Sequence, residues 1–293
     1  MRRDTLSTGR WWLAGLGLSV LFPVAAAAWA STADRSARVR APETRAHRKQ
    51  PKGLAVRIVY DNYPFDKKLQ TAWGFACVVT GLEKAILFDT GGDGRIFLAN
   101  IRACGMEPGE IDAVVLSHIH GDHTGGLGAF LEANSRVTVY VPKVFPEGVK
   151  REVRKMGASV VETDAPSKIC SGARTTGVLD GGIPEQELYL KGPRGLIVIT
   201  GCAHPGIVEI VKAAKAHAGT RPDTVMGGFH MAGVSQSKVQ SVIQAFKDMG
   251  VARVAHSHCS GDGTRKQMKE AFGEGYLPAG AGARFTFESG DEP

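Results

Sequence analysis

Three histidines and an aspartate lie within six positions of the sequence, in the segment HIHGDH at residues 118–123. The whole chain has only nine histidines, so composition does not explain this density. Imidazole and carboxylate groups are ligands that zinc, manganese and iron take in proteins. Because the segment follows a buried apolar run, it has the position of a strand-end loop, where α/β proteins place ligands. The segment therefore predicts a metal site.

Further histidines follow other predicted strands in the same way. Because several strand ends meet at one edge of an α/β sheet, we expect members of this set to join the cluster. Two other histidines are interpreted as solvated, since His217 lies inside a predicted helix and His47 in a polar, basic segment. The strand-end set consists of His204, His230, His256 and His258.

The elements that must position these residues alternate between strands and helices. From Leu54 onward, short β-branched or aromatic runs that end at glycine or asparagine predict strands, and apolar residues three and four apart predict helices. Three strands, a helix and a fourth strand precede the histidine cluster, and strands and helices alternate after it. Since no linker or repeat interrupts the pattern, we predict one α/β domain over residues 54–293.

Two motifs, FDTGG at 88–92 and LSHIHGDHTGG at 116–126, resemble those of the metallo-β-lactamase superfamily. The later segments GCAHPGIV, VMGGFHM and SHCSG are similar to the branch that includes dihydropterin ribofuranosyl-aminobenzene phosphate synthase. The resemblance covers roughly residues 54–287. It implies an αββα four-layer sandwich with the metal site at one edge of two packed sheets.

The resemblance also implies a ligand set. Zinc is the predicted metal, with manganese or iron as alternatives. Many family members have an aspartate that bridges two ions, whereas this chain has MGGFHM in that stretch. The number of bound ions, one or two, therefore stays open. If two ions bind, His230 or a substrate phosphate is the candidate substitute for the bridging aspartate. The implied ligands are His118, His120 and His204 for the first ion, and Asp122, His123 and His258 for the second.

Two further assignments come from the same resemblance. His258 is preferred over His256 because it stands directly before Cys259 in the motif of the branch, and His256 is expected to pack on its strand. Asp89 is implied as an aspartate that orders the site without binding metal. Cys202 is adjacent to ligand candidates, as Cys259 is, but neither belongs to the implied ligand set.

The predicted function is a metal-dependent hydrolase that uses a metal-activated water. Asp122 is predicted to orient the water and His230 to steady the leaving oxygen, which makes them the candidate catalytic residues. Glycine-rich turns beside the ligands offer N–H groups to phosphate, so a small phosphoester or phosphodiester is the favoured substrate. The alternatives are a lactamase or lactonase, and a non-catalytic binding protein on the same fold.

The N-terminal segments predict export. Residues 1–30 combine Arg2-Arg3 with an apolar stretch that ends at Ala28-Trp29-Ala30, and the paired arginines resemble a Tat signal. Residues 31–53 are polar and basic, which is typical of a flexible tether. We therefore expect a periplasmic or otherwise exported protein, with membrane contact only through a retained leader. Because an intracellular coenzyme pathway does not suit an exported protein, the reaction of the named branch is not transferred.

The charge distribution gives no indication of nucleic-acid binding, so we predict no nucleic-acid partner. The net charge is +7, but residues 53–293 carry 26 basic and 26 acidic side chains, so the excess belongs to the leader and tether. A neutral folded part gives no basic face for nucleic acid. The five cysteines are odd in number, widely spaced and without a C-x-x-C, which argues against a disulfide framework and favours core positions for most.

Overall fold

The structure, a computed structural model, describes residues 53–288. The predicted export signal and all but the last residue of the predicted tether lie outside the described residues, so both stay predictions. Within the described range, no helix combines the length and the hydropathy that a membrane crossing requires.

Thirteen strands form in the described residues. They are β1 Leu54–Tyr60, β2 Ala76–Thr80, β3 Ile86–Phe88, β4 Ala113–Val115, β5 Thr138–Pro142, β6 Ser159–Thr163, β7 Lys168–Cys170, β8 Ala173–Thr175, β9 Leu188–Lys191, β10 Leu196–Thr200, β11 Pro222–Gly228, β12 Arg253–Ser257 and β13 Arg284–Phe287. The first sheet has the order β13-β1-β2-β3-β4-β5-β6, and the second has the order β12-β11-β10-β9-β8-β7.

Of the seven α-helices in the same range, all but the four-residue α2 (Gly121–Thr124) cover the outer faces of these sheets. Helices α1, α3 and α4 accompany the first sheet, where Phe97 and Phe130 pack into its outer core. Helices α5, α6 and α7 accompany the second sheet through residues such as Ile210 and Phe246. The helices are α1 Gly94–Ala103, α2 Gly121–Thr124, α3 Leu127–Ala133, α4 Glu147–Lys155, α5 Ile207–Ala218, α6 Gln236–Met249 and α7 Asp262–Phe272.

Strand periodicity produces the four layers. In β10, Ile197 and Ile199 point into the core between the two sheets, whereas Val198 belongs to the core beneath the helices of the second sheet. Because successive strand residues face opposite sides, a strand that is apolar throughout can be buried on both faces. The result is helix, sheet, sheet, helix, so the predicted αββα sandwich is confirmed.

Chain direction brings the loops of both sheets together. Strands β3, β4 and β5 are parallel, as are β10, β11 and β12. The carboxyl ends of parallel strands share one edge of a sheet. At that edge a Cβ on Gly201 would lie 2.2 Å from Ser117 Oγ. Only glycine at this position lets the strand ends of the two sheets approach so closely.

The segment between β5 and β10 holds strands that the sequence analysis did not predict. These are β6, β7, β8 and β9, each three to five residues long. In β6 most residues are exposed, so the apolar alternation that signals a strand is absent. Strands this short depend on pairing with neighbours, which a local sequence pattern does not reveal.

Candidate metal centre

The candidate residues lie in the turns that follow five parallel strand ends of the two sheets. Within the described residues, four non-glycine residues have positive φ, and all four lie in this region: Asp89, Ala203, His230 and His258, with φ between 50° and 65°. This backbone region is unfavourable for side-chain-bearing residues and concentrates at functional sites. The fold therefore concentrates its backbone strain where the histidines converge.

The structure brings together the seven candidate site residues that the sequence singled out. We call His118, His120 and His204 the first cluster, and Asp122, His123 and His258 the second cluster. The ring centroids of His118 and His204 are 4.6 Å apart, and those of His123 and His258 are 5.0 Å apart. The ring of His118 is also 4.2 Å from that of His123, so the two clusters adjoin.

Asp89 anchors one histidine of each cluster. Its carboxylate accepts hydrogen bonds from His123 Nδ1 and from Ser117 Oγ, both at 2.7 Å, and from the Ser117 backbone N–H at 2.7 Å. Ser117 Oγ in turn accepts from His118 Nδ1 at 2.8 Å. Asp89 thus orders the site through hydrogen bonds, in agreement with the ordering role implied for it.

Glu185 anchors the remaining strand-end turn of the first cluster. Its buried carboxylate accepts hydrogen bonds from His204 Nδ1 at 2.8 Å and from the backbone N–H groups of Cys202, Ala203 and His204 at 2.7–3.1 Å. The sequence analysis missed Glu185 because it precedes the unpredicted strand β9, far from His204 in the chain. The available signal was a pair of acids, Glu185 and Glu187, just before the apolar residues of β9.

Asn62 anchors the second cluster from the end of β1. Its Oδ1 accepts from His258 Nδ1 at 2.9 Å, and its Nδ2 donates to the His258 carbonyl at 3.3 Å. Trp73 covers the same histidine, with ring centroids 4.8 Å apart, although the Trp73 residue is 58% exposed. Neither residue has a ligand-type pattern, so the sequence analysis overlooked both.

These anchors fix the imidazole tautomers. Nδ1 of each anchored histidine donates to an oxygen, so the neutral ring presents the lone pair of Nε2. His123 Nε2 and His258 Nε2 face each other at 3.2 Å, and His118 Nε2 lies 3.2 Å from His120 Nδ1. Two lone pairs at this distance repel unless a cation lies between them. The anchored histidines are His118, His123, His204 and His258.

The electrostatics keep the lone pairs of His118 and His123 available. Burial, together with the charge of a neighbouring histidine, lowers the pKa of His118 to about 3 and that of His123 to about 4. Burial alone would favour a neutral Asp122, but its hydrogen bond with His258 and the two nearby imidazoles outweigh this and lower its pKa. At neutral pH His118 and His123 are therefore neutral beside the Asp122 carboxylate. Burial would lower the pKa of His258, but its hydrogen bond with Asp122 outweighs this and raises it.

Cys202 was not part of the ligand set implied by the sequence, but its side chain lies against the second cluster. Its Sγ is 3.3 Å from His123 Nε2 and 3.4 Å from His258 Nε2. The thiols of Cys202 and Cys259 are hydrogen-bonded to each other, and this bond raises the pKa of Cys202 and lowers that of Cys259. The signal in the sequence was the position of Cys202, two residues before His204 in the same strand-end turn.

The other histidines divide as expected. His230 is exposed beside the first cluster, 4.6 Å from the His204 ring, and its backbone N–H donates to Cys259 Sγ at 3.3 Å. That thiol raises the pKa of His230. His256 is fully buried in β12, stacked on Phe229 with centroids 5.0 Å apart. His217 is exposed on α5.

Fold and site together define a class: an αββα sandwich with a histidine-rich centre at the edge of both sheets. Residues 74–217 match the Metallo-beta-lactamase superfamily. The chain is 30% identical over 252 residues to 7,8-dihydropterin-6-methyl-4-(beta-D-ribofuranosyl)-aminobenzene-5'-phosphate synthase of Methanocaldococcus jannaschii, which spans 71% of this chain and 86% of that protein. The chain therefore belongs to the metallo-β-lactamase superfamily, as the sequence motifs predicted.

Solved structures agree with this membership. A metal-dependent hydrolase of the β-lactamase superfamily superposes with a TM-score of 0.68 at 25% identity and covers 79% of this chain and 98% of its own. A metallo-β-lactamase fold protein from Bacillus subtilis superposes with a TM-score of 0.61 at 15% identity, over 80% of this chain and 99% of its own. The second likeness concerns the fold alone.

Proposed function

We propose that this chain is a metal-dependent hydrolase of a small phosphoester or phosphodiester, with zinc as its metal. The observation that carries the proposal is the convergence of four anchored Nε2 lone pairs beside the Asp122 carboxylate. Anchored imidazoles that present lone pairs to one another are the usual preparation for a metal, since the partner of Nδ1 fixes both the tautomer and the ring orientation.

The second cluster fits a tetrahedral ion of the zinc class. Bond lengths of about 2.0–2.2 Å to nitrogen and oxygen place neighbouring ligand atoms about 3.3–3.6 Å apart around a tetrahedral ion. Asp122 Oδ2 lies 3.4 Å from His258 Nε2 and 3.6 Å from His123 Nε2, and the two nitrogens are 3.2 Å apart. The set of one carboxylate and two imidazoles also suits zinc. We assign the first cluster to a second ion because His118 Nε2 and His120 Nδ1 are 3.2 Å apart and the ring of His204 lies beside them.

A bound metal ion would act as a Lewis acid and lower the pKa of water. The side chain of Asp122, 22% exposed, orients that water toward the substrate. His230 is exposed and holds a proton more readily than an isolated histidine because of its contact with Cys259. It would donate this proton to the leaving oxygen as the phosphorus–oxygen bond to the leaving group breaks, while the attacking water, having given up one proton to solvent, bonds through its oxygen to phosphorus.

Two features support a phosphoester as the substrate. The contact with Cys259 raises the pKa of His230, which favours a hydrogen bond from this ring beside the first cluster to a charged phosphate oxygen over one to a neutral lactam or lactone. In addition, the archaeal relative is named for a product that carries a 5'-phosphate. That name describes a synthase, so our proposal takes from it the phosphate and not the reaction.

The test is hydrolysis by the purified chain after separate loading with zinc, manganese and iron. The substrates are bis-p-nitrophenyl phosphate, p-nitrophenyl phosphate, nitrocefin and an acyl lactone. We expect metal-dependent release of p-nitrophenol, and a loss of at least 100-fold, or about 2.7 kcal/mol of transition-state stabilisation, in His118→Ala. His217→Ala, an exposed histidine far from the site, is the matched control and keeps full activity.

The outcomes separate the candidate functions. Turnover of nitrocefin or lactone without turnover of phosphoesters would replace the phosphoester proposal with a carbonyl hydrolase. Equal phosphoester turnover in His118→Ala and the unchanged chain would refute the metal site as the source of activity. His230→Ala is expected to retain its metal while losing activity chiefly on esters with poor leaving groups, because only these need a proton donor.

A further inference from the structure

The structure has two thiols where the sequence lacks a bridging carboxylate. The stretch MGGFHM contains Gly228, whose added Cβ would lie 2.3 Å from Gly201 O, 2.8 Å from Cys259 Sγ and 3.3 Å from Cys202 Cα. No side chain, and so no carboxylate, fits at position 228. The neighbouring space is occupied by Cys202 and Cys259.

Cys202 Sγ is within reach of both clusters. Its distances to His123 Nε2 and His258 Nε2 are 3.3 and 3.4 Å, which match the spacing of ligands around one tetrahedral zinc, about 3.3–3.6 Å. The same sulfur lies within 4.8 Å of a ring nitrogen of His118 and of His204. It is the atom shared by three groups of metal-ligand type among the described residues, which pair it with His118 and His204, with His123 and His258, and with His230 and Cys259.

We propose that Cys202 is a metal ligand whose thiolate bridges the two ions, an inference that rests on the metal site proposed above. On metal binding the S–H bond of Cys202 is replaced by sulfur–metal bonds, and its proton is released to solvent. The negative charge that the thiolate brings adds to that of Asp122. It takes over the neutralising role that an aspartate has in many family members.

The ordinary alternative is that Cys202 is a buried core thiol, since free cysteine is among the most buried residue types. Cys77 shows what that alternative looks like in this chain, because it is fully buried among the apolar residues between the sheets. Cys202, in contrast, faces nitrogen lone pairs in addition to its thiol neighbour. A hydrophobic role does not account for that environment.

A thiolate ligand changes the metal preference of the site. Thiolates select zinc, whereas a site of carboxylates and imidazoles alone also suits manganese. We therefore expect the unchanged chain to bind zinc and cobalt(II) far more tightly than manganese, and Cys202→Ser to narrow this difference.

The test uses cobalt(II) bound to the full chain, because cobalt reports thiolate coordination directly. We measure the sulfur-to-cobalt charge-transfer absorption and, by equilibrium dialysis, the number and affinity of the bound ions. We expect two ions with the band in the unchanged chain. In Cys202→Ser the band disappears and both ions bind about tenfold or more weakly, whereas Cys259→Ser and Cys104→Ser, the matched thiol controls, keep the band. Cys202→Asp restores a carboxylate and is expected to hold both ions without the band.

Each contrary outcome has its own meaning. If the unchanged chain binds cobalt without the band, or loses the band in Cys259→Ser and not in Cys202→Ser, the bridging assignment is wrong while the metal site remains. If Cys202→Ser weakens only one ion, the thiolate is a terminal ligand and the bridge is refuted. If the unchanged chain binds no metal, the proposed function is wrong as well.

Discussion

Both clusters contain imidazoles, and the second also contains the Asp122 carboxylate, but the clusters differ most in exposure. In the second cluster the side chains of His123 and His258 are fully buried, and Cys202 lies against both. In the first cluster His118 is buried, His204 is partly buried and His120 is exposed. One cluster is enclosed by the protein, and the other opens to solvent on the side of His120.

This difference assigns different tasks to the two halves of the site. Zinc sites with four protein ligands are usually structural, whereas catalytic sites keep a position free for water or substrate. Asp122, His123 and His258 with Cys202 approach the closed arrangement, while the first cluster offers three imidazoles and an open side. His230 lies beside the open cluster, next to His204. We therefore expect the substrate to enter at the first cluster.

The largest expected effect comes from removing one imidazole from each cluster and comparing the results. His123→Ala removes one of the three hydrogen-bond donors of the buried Asp89 side chain, and the loss of such a buried hydrogen bond costs about 1–3 kcal/mol. We expect the metal-free variant to unfold at clearly lower urea concentration and to bind no ion at the second cluster. His120→Ala removes an exposed ring, so it should lose metal at the first cluster with little change in urea stability.

Urea titration of the metal-free proteins and elemental analysis of the loaded ones measure the two effects separately. If His120→Ala destabilised the metal-free chain as much as His123→Ala, the exposed and enclosed clusters would not differ in the way described here. The buried His256→Ala variant controls for the loss of an imidazole outside the site, since both its ring nitrogens lack a hydrogen-bond partner.

An intermediate effect on metal affinity is expected from the anchoring residues. Each holds a histidine of one cluster through Nδ1 without contacting the Nε2 atom that would bind the metal, so substituting them tests the two clusters one at a time. Glu185→Gln removes a carboxylate that holds His204, and Asn62→Ala removes the acceptor of His258 Nδ1. Loss of such partners lowers metal affinity about 10–100-fold. Glu185→Gln should weaken the ion of the first cluster alone, and Asn62→Ala that of the second alone.

Isothermal titration with zinc resolves the two binding steps. If either variant weakened both ions equally, the clusters would be coupled more tightly than their separate anchors indicate. The far-UV circular dichroism of each metal-free variant checks that the turn after β10 or β1 has not unfolded, because Glu185 also caps three backbone N–H groups.

The ligand candidates were predictable from the sequence because each is a metal-ligand residue directly after a strand, and the HIHGDH motif is specific. The anchors were not. Asn62 and Glu185 look like ordinary polar residues, and their partners lie 196 and 19 positions away. Only the packing of both sheets shows that these side chains meet the histidines.

The same limit applies to Cys202 and to the fold. A cysteine near a strand end is most often a core residue, and its approach to both clusters depends on the close contact at Gly201 and on the missing side chain at Gly228. The core strands were predicted from β-branched runs, whereas β6–β9 were missed because they are short and depend on pairing with one another and with β5 and β10. The local sequence pattern was therefore enough to predict most secondary-structure elements, whereas the full set of site residues depends on tertiary contacts.

The smallest expected effect concerns the boundary between the enclosed cluster and solvent, where Trp73 packs on His258 and is 58% exposed. A large exposed indole beside the site offers a stacking surface to an aromatic group of the substrate, worth about 0.5–1.5 kcal/mol. Trp73→Ala should therefore raise KM for bis-p-nitrophenyl phosphate about two- to tenfold, with kcat and metal content nearly unchanged, whereas Trp73→Phe keeps most of the affinity. Val144→Ala controls for an exposed apolar residue elsewhere. If Trp73→Ala lost its metal, the indole would act as a cover for His258, and the enclosed cluster would extend to the surface.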